Sequence, residues 1–517
     1  MITSRILSFI TRNRKIVGWS LLAISIVFGF ITLYKGILGD EADNLVVGSL
    51  LLRGYTLFRD IFSHHFPFPY YWVAIIVGLF GKSIFVARLS ILVFQTTIFA
   101  FGMRLSGDYL LLGIAAVIWS IVRSFYSGNM VLYSSFAGAA VLIIFITIVV
   151  ILQQRVVPSW KHWLLIGLFS IISILSDPLS VYAVGVALVF LFTKRPIWGV
   201  YVSLVIGAGL LMYAGYLYFT GSIQAFWSDA ILFNTQIYAK YIYTNPLRFG
   251  DLLSTIIKGL GITDAVWLNL DPLKHIIPQY TELDHWFFTG FLYRFSVIAT
   301  TVFLALRKQY RTAAFTYLFT ASALIIEKWG FRAQPFILVS ILAISALITN
   351  EWWRDTGNRV LKTTQIIIGV MVLVMTIWLS ARLSVNIYKL RNTYGDMQLA
   401  DYKRDAFYIE GLTCNQPNVL LGYYPDGNYW YWFTGMKPVS KYVYMWPWVA
   451  EVGLNDVIHE LSQNKVLAIV VRQDFVIWGA YDSKEYLHPL DEYLDMNYHK
   501  ISEGVYVSPK LYALCPK

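Results

Sequence analysis

The chain has 517 residues, 57% of them hydrophobic and only 14% charged, with a mean hydropathy of +0.59. Soluble domains carry about 25% charged residues, so the composition excludes a soluble globular protein and points to a polytopic membrane protein. The formal charge of +11 is spread through short connections rather than gathered on one run, which argues against nucleic acid as a partner and for basic residues that set topology.

Arg5, Arg12, Arg14 and Lys15 precede an apolar stretch from about Ile16 to Leu38. That is longer than the roughly 7–15 residues of a cleaved signal's core, so it reads as a signal anchor with a cytoplasmic N-terminus. Apolar runs long enough for a bilayer predict eleven spans, near 16–38, 83–103, 107–123, 130–152, 162–175, 178–193, 197–219, 288–306, 312–327, 334–349 and 363–382. The connections then expected inside hold fifteen basic residues, against the acids Asp108, Glu351 and Asp355. That asymmetry follows the positive-inside rule and suits an odd number of crossings of the plasma (inner) membrane.

Three regions are left outside: about 39–82, about 220–287, and everything after about 383. PYYWVAIIVGLF, residues 69–80, is short for a crossing and reads as a helix lying in the membrane interface. The tail changes character. KVLAIVV and GVYVS read as strands and LNDVIHELSQN as an amphipathic helix, predicting an extracytoplasmic α/β domain over 384–517 beside a transmembrane catalytic domain over 1–383. Cys414 and Cys515, the only cysteines, fall in this tail. Outside the cytoplasm a disulfide is permitted, and both a bridge and two separate thiols fit the sequence.

Charge is scarce, so its location is informative. GDEADN opens the first outer loop at Gly39. On a helix Asp40, Asp43 and Asn44 share a face, with Glu41 turned about 100° away. Acids at a helix N-terminus complement its dipole, but a carboxylate at the membrane edge is costly without a partner or a task. Asp40 and Glu41 are therefore the catalytic candidates, and Asp43 a substrate-binding one. LLRGYTLFRDIFSHHFPFPYYW follows, broken by Gly54 and by Pro67 and Pro69. It adds Arg59, Asp60, His64 and His65 as substrate-binding candidates. Adjacent histidines point to opposite sides of regular structure and the spacing fixes no third ligand. Hydrogen bonding to a sugar or phosphate is the reading preferred over a metal. Arg332, in EKWGFRAQPF, fits either an ion pair with Glu327 or a guanidinium clamping a lipid phosphate. Asp177 reads as a turn or capping residue. No phosphate loop, HExxH or CxxC occurs. The sequence requires no cofactor and gives no support to a divalent cation.

In their order these segments resemble the first outer loop of membrane glycosyltransferases of GT-C fold, in particular the protein O-mannosyltransferase-like family that includes the lipid A aminoarabinose transferases. Asp40 and Glu41 match its acidic pair; Gly54, Phe58 and Asp60 match its second element; Pro67, Tyr70 and Tyr71 match its third. FWSDAILFNTQIYAKY resembles the start of the family's long outer loop, and NYWYWFTGMKPVSKY a stretch of its tail. The resemblance implies transfer of a sugar from a polyprenyl-phosphate donor to a glycan, lipid or protein acceptor outside the cytoplasm, with inversion. It makes Asp40, and with it Glu41, the base, and Arg59 and Arg332 the cations that stabilise the departing phosphate. The spans would hold the prenyl tail among the membrane lipids. The sequence departs from some relatives at His64-His65, where they carry Glu-Lys, and at Phe66, where they carry a proline. A secondary transporter or lipid-linked glycan flippase is the alternative. Such proteins place ionisable residues within spans and carry internal repeats, whereas these spans are nearly free of charge.

Overall fold

A computed structural model of the chain describes residues 9, 12–33, 39–242, 291–323, 330–349, 359–390, 395–425, 428–463 and 467–515. Most of the expected outer loop 220–287, and Glu327 with its expected pairing to Arg332, lie outside the described residues.

In chain order the principal helices are α1 (Arg14–Ile31), α2 (Gly39–Leu51), α3 (Phe68–Phe80), α4 (Ile84–Ser106), α5 (Tyr109–Val122), α6 (Tyr133–Leu152), α7 (Trp160–Ser176), α8 (Val181–Lys194) and α9 (Pro196–Phe219). A π-helical stretch, Trp227–Tyr238, comes next. Then follow α10 (Phe291–Leu306), α11 (Tyr310–Ser322), α12 (Gln334–Thr349), α13 (Arg359–Leu390), α14 (Gly395–Gly411), α15 (Asn428–Thr434), α16 (Pro447–Ser462), α17 (His488–Asn497) and α18 (Pro509–Leu514). Every predicted apolar segment holds a helix. Among the described residues α1, α4, α6 and α9 are long and apolar enough to cross a membrane, and α3, α5, α7, α8, α10 and α12 are apolar but shorter. The chain divides into two compact units.

The first unit joins residues 1–35, 85–213 and 247–393. At its centre α6 is buried along all of its length, as a helix apolar on every side should be. Small residues let neighbours close on it: a Cβ on Gly138 would lie 3.0 Å from Leu338 Cδ1 and 3.3 Å from Gln334 Cβ. At one end of the unit, connections that the charge pattern placed together do meet. Arg155 pairs with Asp108 at 2.5 Å and Gln153 donates to Gln309 at 3.2 Å. Around α1's other end, backbone carbonyls accept from buried side chains. Arg123 donates to Gly29 O (3.2 Å), Asn129 to Thr32 O (2.9 Å) and Arg88 to Leu33 O (2.9 Å). Asp177 caps the turn between α7 and α8, accepting the Leu179 N–H at 3.0 Å, as its setting predicted.

The second unit joins residues 36–84, 214–246 and 394–517. Helices α2 and α3 run side by side in the same direction, since Gly48 faces Val73 and Gly78 faces Leu52. Pro67 and Pro69, expected to bar regular helix before the interfacial stretch, occupy the N-cap and first turn of α3, where a missing N–H costs nothing. The tail forms a five-stranded sheet in the order β2 (Lys437–Pro438), β1 (Leu420–Tyr424), β3 (Ala468–Arg472), β7 (Val505–Val507), β6 (His499–Ser502), with β4 (Val476–Ile477) and β5 (Tyr481–Asp482) paired separately. β1 is parallel to β2 and β3, while β7 is antiparallel to β3 and β6. β3 is buried throughout, which is why it reads as an unbroken apolar run rather than an alternating one. The sequence placed strands at KVLAIVV and GVYVS, and β3 and β7 lie there. Cys414 and Cys515 are separate thiols. Cys515 Sγ contacts the Thr413 carbonyl at 3.9 Å while Cys414 is exposed. Of the two readings open in the sequence, this is the unbridged one.

Candidate functional site in the second unit

The first turn of α2 carries the acids. Its N-terminus supplies a positive dipole end and free backbone donors, a setting that favours carboxylates. Asp40 is partly exposed, whereas Glu41 is fully buried and Asp43 nearly so (0% and 3% exposed). Burial at that level demands partners, and the helical spacing aims the two buried acids at different ones. The Tyr429 hydroxyl, on α15, donates to Glu41 Oε2 at 3.3 Å. The Tyr70 hydroxyl, on α3, donates to Asp43 Oδ2 at 2.7 Å and lies 2.6 Å from Ser63 Oγ. Burial, and then the Asp43 charge, push Tyr70 well above the usual phenol pKa, so it stays a donor. The carboxylate with an accessible surface is Asp40.

The segment after α2 is fixed by Asp60. Its Oδ2 accepts the Thr56 N–H at 2.8 Å, and its two oxygens take Arg59 Nε and Nη2 at 3.0 and 2.9 Å. The Arg59 hydrogen bond, the first of several causes, holds Asp60 below the ordinary carboxylate range. Arg59 also donates to Thr56 Oγ1 and Thr220 O, both at 2.9 Å. Nη1 thereby ties this loop to the residues just past α9, while Nε and Nη2 stay within the loop. Phe58 is completely buried at φ +69°, a left-handed conformation rare for a bulky residue. It packs edge-on to Phe226 (5.1 Å between centroids), as Phe62 does to Phe233 (5.1 Å).

His64 and His65 lie in a bend rather than in regular structure, so their rings come together at 4.0 Å. His64 is 7% exposed. Its Nδ1 lies 2.7 Å from the Tyr444 hydroxyl, its carbonyl accepts Asn234 Nδ2 at 2.6 Å, and Tyr238 packs at 4.9 Å. Asn234 and Tyr238 come from the π-helix, a rare form that recurs at functional sites. Two distant stretches, the π-helix and the tail, thus converge on His64. Nearby, Asp229 is raised in pKa by burial, with Ser228 and Lys441 acting against that rise. Among the described residues no group of three or more His, Cys, Asp or Glu could hold a metal ion.

Arg332 lies in the first unit. It is 8% exposed, sits over the Tyr133 ring at 5.6 Å, and is near enough to Asp177 for their charges to interact. Sequence reasoning singled out the acids, Arg59, Asp60 and the histidines, and the second unit gathers them all. It named Tyr70 only as a match to the family's third element, and did not single out Tyr429, Tyr444 and Asn234 individually. The last three lie in or just beyond the outer-loop and tail segments that carry the family resemblance, and that resemblance was their one signal.

The chain is a multi-pass helical membrane protein with the GT-C fold. It is similar to ArnT from Cupriavidus metallidurans bound to undecaprenyl phosphate, with 11% identity and a TM-score of 0.57 over 95% of this chain and 98% of that one. The apo state of the same ArnT gives 11% identity and a TM-score of 0.52 over 95% and 97%. No family model matches the sequence, and no curated protein matches it.

Proposed function

We propose that the protein is a glycosyltransferase that moves a sugar from a polyprenyl-phosphate donor to a glycan, lipid or protein acceptor on the extracytoplasmic side of the membrane. The observation that carries this reading is the acid-bearing first turn of α2, with one accessible carboxylate, Asp40, beside two that are buried and oriented by tyrosines. It is supported by the fold shared with ArnT, whose structure holds undecaprenyl phosphate. In this reading Asp40 accepts the proton of the attacking hydroxyl as the sugar transfers with inversion. Glu41, tied to Tyr429, is the second catalytic acid. Asp43 and His64 shape the sugar pocket with His65, and Asp60 fixes the loop through Arg59. The departing phosphate needs charge neutralisation rather than protonation, a task assigned to Arg59; Arg332, the other candidate that the sequence offered, lies in the first unit. About eleven crossings, a cytoplasmic N-terminus and an extracytoplasmic domain over 384–517 complete the proposal, with α3 lying in the interface of the plasma membrane.

The test is direct. Purified protein given a polyprenyl-phosphate sugar and an acceptor forms a new glycosidic bond, and Asp40→Asn abolishes turnover while keeping a wild-type gel-filtration profile. Full turnover by Asp40→Asn removes that residue from the mechanism. Movement of intact lipid-linked sugar across sealed vesicles, with no bond formed, assigns the protein to the flippases instead.

A further inference from the structure

Several cations of the second unit pair with a carboxylate. Arg59 pairs with Asp60, Lys240 with Glu451 and Arg472 with Asp491. Arg53, just past α2, and Lys82, just past α3, have no carboxylate within ion-pair distance among the described residues; both instead address the end of α15. Arg53 Nη1 donates to Gly435 O at 2.5 Å. Lys82 Nζ donates to Trp432 O at 2.9 Å and lies over the Trp432 ring at 5.2 Å. Gly435 makes this convergence feasible. It sits at φ +65°, and a Cβ there would be 3.1 Å from Arg53 Nη2 and 3.5 Å from Lys82 Nζ. Two like charges are thus brought within reach of one point by the helix's negative end, with further N–H donors on each.

The surroundings identify what would balance them. Leu52, next to Arg53, is 49% exposed, and Leu79 and Phe80, three and two residues before Lys82, are 70% and 65% exposed. Leu52 packs against the α3 backbone at Gly78, so these apolar side chains and the two cations share the C-terminal ends of the parallel helices α2 and α3. Apolar side chains bordered by cations match the boundary between acyl chains and anionic headgroups.

We propose that Arg53 and Lys82 form a docking site for the phosphate of an anionic phospholipid, with Leu52, Leu79 and Phe80 against its acyl chains. The site is separate from the acids: Arg53 lies twelve residues beyond Glu41, about 18 Å along a helix. It does not depend on the sugar-transfer reading.

The test titrates the purified full chain, in a neutral detergent at low salt, with dioleoyl-phosphatidylglycerol, dioleoyl-phosphatidylcholine or inorganic phosphate. Bound lipid is counted by native mass spectrometry. The expected result is tighter binding of phosphatidylglycerol than of phosphatidylcholine. The double variant R53Q/K82Q should weaken phosphatidylglycerol about tenfold and lose the preference, while R53K/K82R keeps it. L79S/F80S should weaken both lipids. Equal binding of the two lipids by the wild type overturns the proposal, as does a preference that survives in R53Q/K82Q. Competition by inorganic phosphate at the lipid's own concentration reassigns the site to a free anion and overturns the lipid part.

Discussion

Tyr70→Phe removes one hydroxyl and little else, so it isolates what holds the acid-bearing helix in place. That hydroxyl donates to Asp43 Oδ2 at 2.7 Å, and both residues are almost wholly buried. A hydrogen bond to a charged acceptor contributes about 1.5–3 kcal/mol, and the carboxylate left behind would carry the desolvation cost. Ser63, the hydroxyl's other neighbour, retains the His65 N–H as a donor at 3.1 Å, so its loss adds little. The expected destabilisation of α2 is therefore about 2 kcal/mol, a roughly 30-fold rise in local opening. Hydrogen exchange of the amides of residues 43–50 in the detergent-solubilised chain reads that opening directly. A cycle of Tyr70→Phe, Asp43→Ala and the double variant should give a coupling energy of at least about 1 kcal/mol. Additivity within about 0.5 kcal/mol would show that the pair does not hold α2, and the account of the buried acids would then fail.

Burial raises the Asp229 pKa despite Ser228 and Lys441, so the native state holds its proton more tightly than the unfolded chain. Its contribution to stability should be complete below the unfolded value of about 3.9. It should be lost as pH rises from there through the higher folded value. Melting curves across that window should flatten in Asp229→Asn, and an unchanged slope would contradict the burial argument. For the cysteines, electrophoretic mobility should be the same with and without reductant. A maleimide should label exposed Cys414 much faster than buried Cys515.

Much of this protein was legible as pattern. The eleven apolar segments and their charged connections gave helices where helices stand, because backbone satisfaction in a bilayer leaves few alternatives. The pairing of Arg155 with Asp108 joins two connections that the charge count had assigned to one side. The histidine pair was less legible. Opposed side chains are a rule of regular structure, and the bend at His64-His65 brings the rings to 4.0 Å. The sequence offered Arg59 only as a phosphate-binding candidate, and its geometry with Asp60 and Thr220 makes it also a cross-link between loops.

By itself the sequence determined the solvent the chain folds in, the helices that follow, and the single turn, residues 40–43, in which three carboxylates cluster. These are consequences of composition and of interactions between near neighbours. Only the tertiary structure decided which acid keeps an accessible surface. Asp40, Glu41 and Asp43 are equivalent as residue types within one turn. They differ because Tyr429 and Tyr70, 388 and 27 residues away from their respective partners, arrive on other helices to bury two of them. Contacts between residues so far apart depend on how α2, α3 and α15 pack, and no local pattern records that.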